Sequence, residues 1–478
     1  MSLLSNRSRS AFLAAAVLLP LYASHAQDAS GAAPQAQPTI QDLLQRIEEQ
    51  EQKIKVLERK LEITDEAAAT AKTTTPVVKA SPKGFSFASP DGQNQVKLRG
   101  TLHFDGRFFE SDDPTGLKDT WQATRVRPII EGTVGGIYDF KFMPDFGQGR
   151  TVIQDAYVTA RFRPQFQLTA GKFKAPFGLE RLQSANDIRF VARAFPTSLA
   201  PNRDLGVQVG GNFFNERLSY AVAWTNGVND GGSTETFSDV DTNSGKEWTA
   251  RLFALPFGES DSFLLRGLGV GIAGTYGSFD GTTAQPLVGS YRTPAQSTFF
   301  AYRGGATSPT LANGQRTRLG PQFYWYAGRF GLLGEYTTES QDVARTTTAG
   351  RRTANLDTSA WQLQASLFLT GEEEGFRGFK PNNVFSLDNH TWGAFELVAR
   401  YHVLDPDDDA FLGGSASFAD PAVSARKASA YGVGLNWYFN ENLKWVLDYE
   451  QTSFDGGAAA GADREDEKVF LTRFALGF

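Results

Sequence analysis

The sequence predicts an all-β chain: an antiparallel transmembrane β-barrel of about 16 strands, an even number as bacterial barrels prefer, behind a short N-terminal periplasmic coiled-coil helix. Three observations predict it. Apolar and polar residues alternate with period two in repeated runs across most of the chain. The connections between these runs alternate between short and long, the pattern of outer-membrane barrels. The last run closes the sequence on Phe478, an aromatic residue ending an alternating strand.

The N-terminus is read first. Arg7 and Arg9 precede an apolar run over 11–23, and Ser24-His25-Ala26 places small residues at a cleavage position, so residues 1–26 are expected to be a signal peptide. The apolar run is too short to span a bilayer. Residues 27–66 are expected to form the helix. Ile40, Ile47, Ile54 and Leu61 recur every seven residues, with Leu43 and Leu57 at d positions and Gln50 between them. Such a stripe points to oligomerisation, because a solitary helix would leave it in water. Residues 67–84, rich in Ala, Thr, Lys and Pro, read as a flexible linker. Residues 85–478 are the barrel.

The composition agrees. Mean hydropathy of −0.32 alone would read as soluble, but half of each barrel strand faces a polar lumen and hides from that test. The absence of cysteine excludes a disulfide framework and Cys-ligated metal. In the strand over 96–109, Val96, Leu98, Leu102, Phe104 and Phe108 form one face, and Lys97, Arg99, His103, Asp105 and Arg107 the other. Further strands are expected over 120–135, 138–146, 152–163, 165–173, 205–214, 218–226, 247–255, 263–279, 317–327, 329–338, 360–369, 392–404, 428–439, 443–454 and 468–478. Long loops are expected over 227–246, 280–316, 339–359, 405–427 and 455–467. The connection 370–391 breaks the alternation, being long where a short turn belongs.

Catalytic chemistry has little to work with. Beyond residue 26 the histidines are His103, His390 and His402, and no catalytic or nucleotide-binding motif stands in a fitting context. The acidic run 405–409 lacks the spacing of a calcium loop. No enzyme, cofactor, metal or nucleic-acid partner is expected. The bore is more informative. With the apolar face towards outer-membrane lipid, the lumen receives Lys97, Arg99, Arg107, Arg125, Arg127, Lys141, Arg161 and Arg163, against Asp105, Glu131, Asp139, Asp145 and Asp155. Surplus bases in a narrow pore concentrate anions. The bland alternative is that these charges are ion pairs fixing neighbouring strands.

The segment 171–204, loop three, carries six basic residues and three acids. The bases are Lys172, Lys174, Arg181, Arg189, Arg193 and Arg203. It follows the fifth strand, where a long loop either crosses water or folds into the bore. Phe173, Phe177, Leu179, Phe190, Val191 and Phe195 supply apolar anchors for the second course. Strict alternation would put Lys172 and Lys174 on the lipid side.

The run Gly171-Lys-Phe-Lys-Ala-Pro-Phe-Gly-Leu-Glu180, with Ser184 and Ala192-Arg193 after it and Ala394-Phe395-Glu396-Leu397-Val398-Ala399-Arg400-Tyr401 further on, resembles the phosphate-selective porins O and P. The resemblance implies a homotrimer of sixteen-stranded barrels in the cell outer membrane. Each would pass inorganic phosphate or other small anions along a basic ladder to a site shaped by loop three. It implies Arg181 and Arg193 at the constriction, Arg125 and Arg127 as a basic cluster on the second strand, and Lys97, Arg99, Arg107, Lys141, Arg161 and Asp155 as a lumen relay. Asn186-Asp187 departs from the pattern, standing where a further base is expected. The alternatives are a general, weakly selective porin and a structural protein in contact with the cell wall through the helix.

Overall fold

The computed structural model describes residues 39–110, 118–231, 245–378 and 380–478. The signal peptide expected over 1–26 lies outside the described residues.

A helix, α1, runs over Ile40–Thr74. Thr39 and Asp42 cap it reciprocally: the Asp42 amide donates to Thr39 Oγ1 and the Thr39 amide to Asp42 Oδ2. In the isolated chain Ile40, Ile47, Ile54 and Leu61 are all exposed. The helix reaches further than the expected boundary. A hairpin, Val77–Ser81 with Gly84–Ala88, then forms in much of the stretch whose composition suggested a linker. Its second strand pairs with residues 95–98, at the start of the barrel.

Sixteen antiparallel strands close the barrel. They are β1 (Gln95–Phe109), β2 (Thr120–Val134), β3 (Tyr138–Asp145), β4 (Val152–Arg163), β5 (Phe166–Lys174), β6 (Arg203–Phe213), β7 (Leu218–Thr225) and β8 (Glu247–Ala254). There follow β9 (Leu268–Asp280), β10 (Thr310–Ala327), β11 (Phe330–Thr347), β12 (Gly350–Phe368), β13 (Ala394–Asp405), β14 (Ala425–Tyr438), β15 (Leu443–Gly456) and β16 (Glu467–Gly477). Each pairs with its neighbour in sequence, and β16 returns to β1. Closure leaves no sheet edge to face hydrocarbon.

Period-two patterning decides which side chain faces where. On β1, Leu98 and Phe104 are exposed while His103 and Asp105 are buried. Two aromatic girdles bound the lipid face. One aligns Trp224 with Trp248 and Tyr276, Tyr336 with Trp361, and Tyr401 with Tyr431. The other aligns Phe395, Trp437, Trp445 and Phe474.

Two expectations about connections are corrected. Residues 339–359 are not a loop: β11 and β12 run on to pair Thr347 with Gly350. The strand expected from 263 starts at Leu268, after a short helical turn over Phe263–Arg266. The long connection 370–391 now has a physical account. It leaves the short-turn rim, and Phe376 packs with Leu179, Phe253 and Leu333.

The core lies at the mouth rather than between sheets. Phe195 and Leu199 of loop three pack with Tyr291, Phe299 and Phe300 of a hairpin over 290–301, and with Phe411, Phe418 and Phe454.

The seam depends on Gly100. Its amide donates to the Phe478 carbonyl at 2.9 Å, the Phe478 amide returns the bond at 3.1 Å, and a Cβ on Gly100 would lie 2.6 Å from Phe478 Cζ. Gly100→Val is therefore expected to cost about 1–3 kcal/mol by overpacking, read as a lower urea midpoint for loss of the compact electrophoretic form. Gly304→Ala, whose new Cβ meets nothing within 4 Å, is expected to match the parent. Equal midpoints for both variants would refute the packing of the terminal ring on the seam.

Candidate functional site

A bulge places the basic cluster of β2. His103 pairs with Arg125 but Phe104 pairs with Ala123, so Thr124 is the inserted residue. Strict alternation from exposed Trp121 through Ala123 would send Arg125 to the lipid; the extra residue turns Arg125 and Arg127 into the bore. A second register shift, between Met143 and Pro144 against Asp155 and Ile153, lets Gln154 and Asp155 both line the lumen.

Residues 175–202 cross the bore to the opposite wall. Phe177, Leu179, Phe190, Phe195 and Leu199 are buried. Glu335 on β11 accepts from the Leu179 amide at 2.7 Å and the Glu180 amide at 3.4 Å. Asp448 on β15 accepts from the Val191 amide at 2.6 Å. Lys444 donates to the Ile188 carbonyl at 2.7 Å, and the Phe195 amide donates to His402 Nδ1 at 3.3 Å. Arg189 pairs with Glu396 at 2.6 Å and with Glu374 of the 370–391 connection. From the same connection the Phe376 carbonyl accepts from Gln183 at 2.9 Å. Loop three is thus held by the far wall and, from the short-turn rim, by a second segment.

Between loop three and β1–β6 lies a cavity of about 700 Å3. Its lining includes nine bases, Arg99, Arg125, Arg127, Lys141, Arg150, Lys174, Arg181, Arg193 and Arg203, and one carboxylate, Asp155. Several of these charges are neutralised. Arg99 pairs with Glu131 at 3.1 Å, Arg127 with Asp145 at 2.8 Å, and Asp155 with both Arg203 at 2.7 Å and Lys141 at 2.9 Å. These four bases are ion-paired with carboxylates of nearby strands.

Four cations differ. Arg125 bonds to His103 Nδ1 at 2.9 Å. Lys174 donates to the carbonyls of Arg181 and Gln183 at 2.9 Å and of Leu182 at 3.3 Å. Arg193 donates to the carbonyls of Glu180 and Gln183, both at 3.1 Å, and Arg181 to the Thr197 carbonyl. These partners are neutral, and Arg181 Nε is buried with no hydrogen-bond partner. Burial, then the neighbouring Arg193 and Arg203, pull the Arg181 guanidinium down to about 9. Burial, partly offset by Glu180, brings Arg193 to about 10. Both remain cationic at neutral pH, with no carboxylate hydrogen-bonded to either guanidinium among the described residues.

A second cavity, of about 830 Å3, opens on the short-turn side and is lined by Lys97, Asp187, Arg377 and Lys444 among others. Arg99, Lys141, Ser184 and Asn186 line both cavities and mark the neck between them.

Of the residues singled out in the sequence, Arg99, Arg125, Arg127, Lys141, Asp155, Arg181 and Arg193 meet at the first cavity, and Lys97 lines the second. Arg107 and Arg161 line neither; Arg161 pairs with Asp139 at 2.7 Å and bonds the Gly136 carbonyl at the short-turn rim. Lys174 is not on the lipid face: it ends β5, where the chain turns inward and takes its side chain under loop three, while Lys172 is buried and lines neither cavity. Arg150 and Arg203 were missed as lining residues, although Arg203 belongs to the basic run that drew attention to loop three.

Comparison with known proteins follows the same outline. The family of phosphate-selective porin O and P matches residues 96–478. Porin O of Pseudomonas aeruginosa is 25% identical over 424 residues, 83% of this chain and 91% of that protein. Among solved structures, the outer membrane channel DcaP of Acinetobacter baumannii is similar with a TM-score of 0.49 and 12% identity, over 80% of this chain and 97% of its own. The anion-selective porin from Comamonas acidovorans gives 0.46 and 11%, over 80% and 100%. With a match that runs from the first barrel strand to the last residue, this chain belongs to the phosphate-selective porin O and P family of outer-membrane porins.

Proposed function

We propose that this porin passes small anions by passive diffusion, inorganic phosphate or polyphosphate first, and that Arg125, Arg181, Arg193 and Lys174 form the site that selects them. The observation that carries the reading is the set of four half-buried cations with neutral partners around one cavity. An anion crossing that cavity supplies the missing negative charge. Arginine offers a planar fork that grips two oxygens of a phosphate at once. Arg99 and Lys141 stand at the neck on the way to the second cavity, so they would pass the ion on. Their carboxylate partners weaken their hold, as conduction requires.

Two further readings rest on less. The exposed heptad stripe of α1 supports a homotrimer joined through the helices, with the helix in the periplasm. The family's description as phosphate-selective supports phosphate over other oxyanions and makes it the first anion to test.

In planar bilayers with a potassium chloride gradient, the reversal potential is expected to lie close to the chloride side. Equal permeability to potassium and chloride would refute anion selection. Phosphate added to chloride is expected to reduce the current, and Arg181→Ala to weaken that block about tenfold, the loss of one charge-assisted contact. Chloride current indifferent to phosphate would leave a general anion pore.

Asp155→Asn works in the other direction. It releases Arg203 and Lys141 together, so phosphate is expected to block at lower concentration and to dwell longer in single-channel records. Weaker block in this variant would mean that Asp155 holds the site's geometry rather than dilutes its charge.

A further inference from the structure

We propose that His103 is a specificity-determining positioning residue: one neutral imidazole leaves the charge of Arg125 uncompensated in the first cavity and fixes Asn186 at the neck. This rests on the anion reading of the site.

The bonding pattern determines the form of the ring. Arg125 Nη1 lies 2.9 Å from His103 Nδ1. A guanidinium has no acceptor, so it must donate, and Nδ1 must be bare. His103 Nε2 lies 2.8 Å from Asn186 Oδ1. Nε2 therefore carries the proton and donates. The Asn186 amide is oriented in turn, and its Nδ2 donates to Thr101 Oγ1 at 3.2 Å. The chain Arg125–His103–Asn186–Thr101 is a single polarised line with every direction assigned.

What matters is the choice of acceptor. Several other arginines of the barrel strands meet a carboxylate. Arg473 grips Asp105 through two bonds, at 2.6 and 2.7 Å, only two residues further along β1. Arg127 has Asp145 and Arg203 has Asp155. A carboxylate at position 103 would hold Arg125 at least as firmly, but would cancel the charge that an oxyanion is to meet. The imidazole gives an acceptor without a charge. No other partner holds the Arg125 guanidinium among the described residues, so its remaining N–H groups serve the cavity it lines.

The other end of the line sits where the two cavities join. Asn186 lines both, and its side chain fills the space over Gly477, where a Cβ would lie 2.2 Å from Asn186 Nδ2. His103 is completely buried, so the ring cannot swing without moving one end or the other. Occupancy of Arg125 by an anion and the position of the neck are thereby coupled through one ring.

The test is a double-mutant cycle on the full-length channel in planar bilayers, with inorganic phosphate titrated against chloride current. His103→Phe and Arg125→Gln are each expected to raise the half-blocking phosphate concentration about tenfold, and the double variant to match Arg125→Gln alone. His103→Gln, which offers both an acceptor and a donor, is expected to restore the block. His103→Glu is expected to lower the chloride-to-potassium permeability ratio; a purely packing role would leave His103→Gln no better than His103→Phe in the block. Should His103→Phe fail to assemble, the Gln and Glu pair carries the comparison, and equal permeability ratios in those two would overturn the proposal. Losses that multiply in the double variant would also overturn it while leaving the site intact. Unaltered block in Arg125→Gln would instead remove Arg125 from the anion site itself.

Discussion

Everything in this bore depends on the way loop three is held by its backbone. A loop inside a barrel carries N–H groups that must be satisfied away from bulk water. Here carboxylates of the far wall accept them: Glu335 takes two amides and Asp448 takes one. That arrangement uses acids of β11 and β15 on the loop's main chain and leaves them unavailable to the arginines in the cavity. The loop's side chains Arg181 and Arg193 then turn towards β1–β6, where the cavity lining holds a single carboxylate. The far-wall acids are thus matched by loop amides and by their own bases, while the cavity side keeps cations that no carboxylate pairs.

Keeping such cations is costly, and the cost shows where it falls. Desolvation disfavours a buried guanidinium, and like charges disfavour it further. Arg181 experiences both, with Nε unpartnered. Such a site is tolerated because carbonyl dipoles support the cations at close range. Lys174 meets three of them, Arg193 two and Arg181 one. Dipoles stabilise a cation less than a carboxylate does and leave its net charge intact. A binding site for a transient anion needs both properties, because a fully neutralised wall attracts nothing and a fully unsupported one does not fold.

The sequence made much of this legible, and the places where it did not share a cause. The barrel strands were readable because lipid on one side and lumen on the other force alternation. β11 and β12 beyond the Tyr336–Trp361 girdle were not, because there both faces meet water or protein. Ser340, Asp342 and Asn355 form a hydrogen-bonded polar patch on the outer face, so no hydrophobic period remains. A bulge hides in the same way: Arg125 and Arg127 face the bore as the sequence predicts, but the inserted Thr124 that turns them there leaves no mark in the alternation. Lys174 escaped because it stands at a strand end, where the turn of the chain rather than the pleat directs the side chain. The partition of bases into paired and unpaired was beyond any count, since it depends on which acids the loop's backbone has already engaged.

The departure at Asn186 now has a physical meaning. A base there would have joined the cations of the first cavity to those of the second without interruption. An ion would then move between two deep wells through a third. Asn186 instead places an uncharged amide at the neck, flanked by Arg99 and Lys141, each of which is paired with a carboxylate. The path therefore runs from strongly attractive, through nearly neutral, to basic again. Release is fastest where the well is shallow, and a passive channel has only the gradient to pull an ion out. On the proposed anion reading, the uncharged amide at position 186 suits the step at which the ion is released.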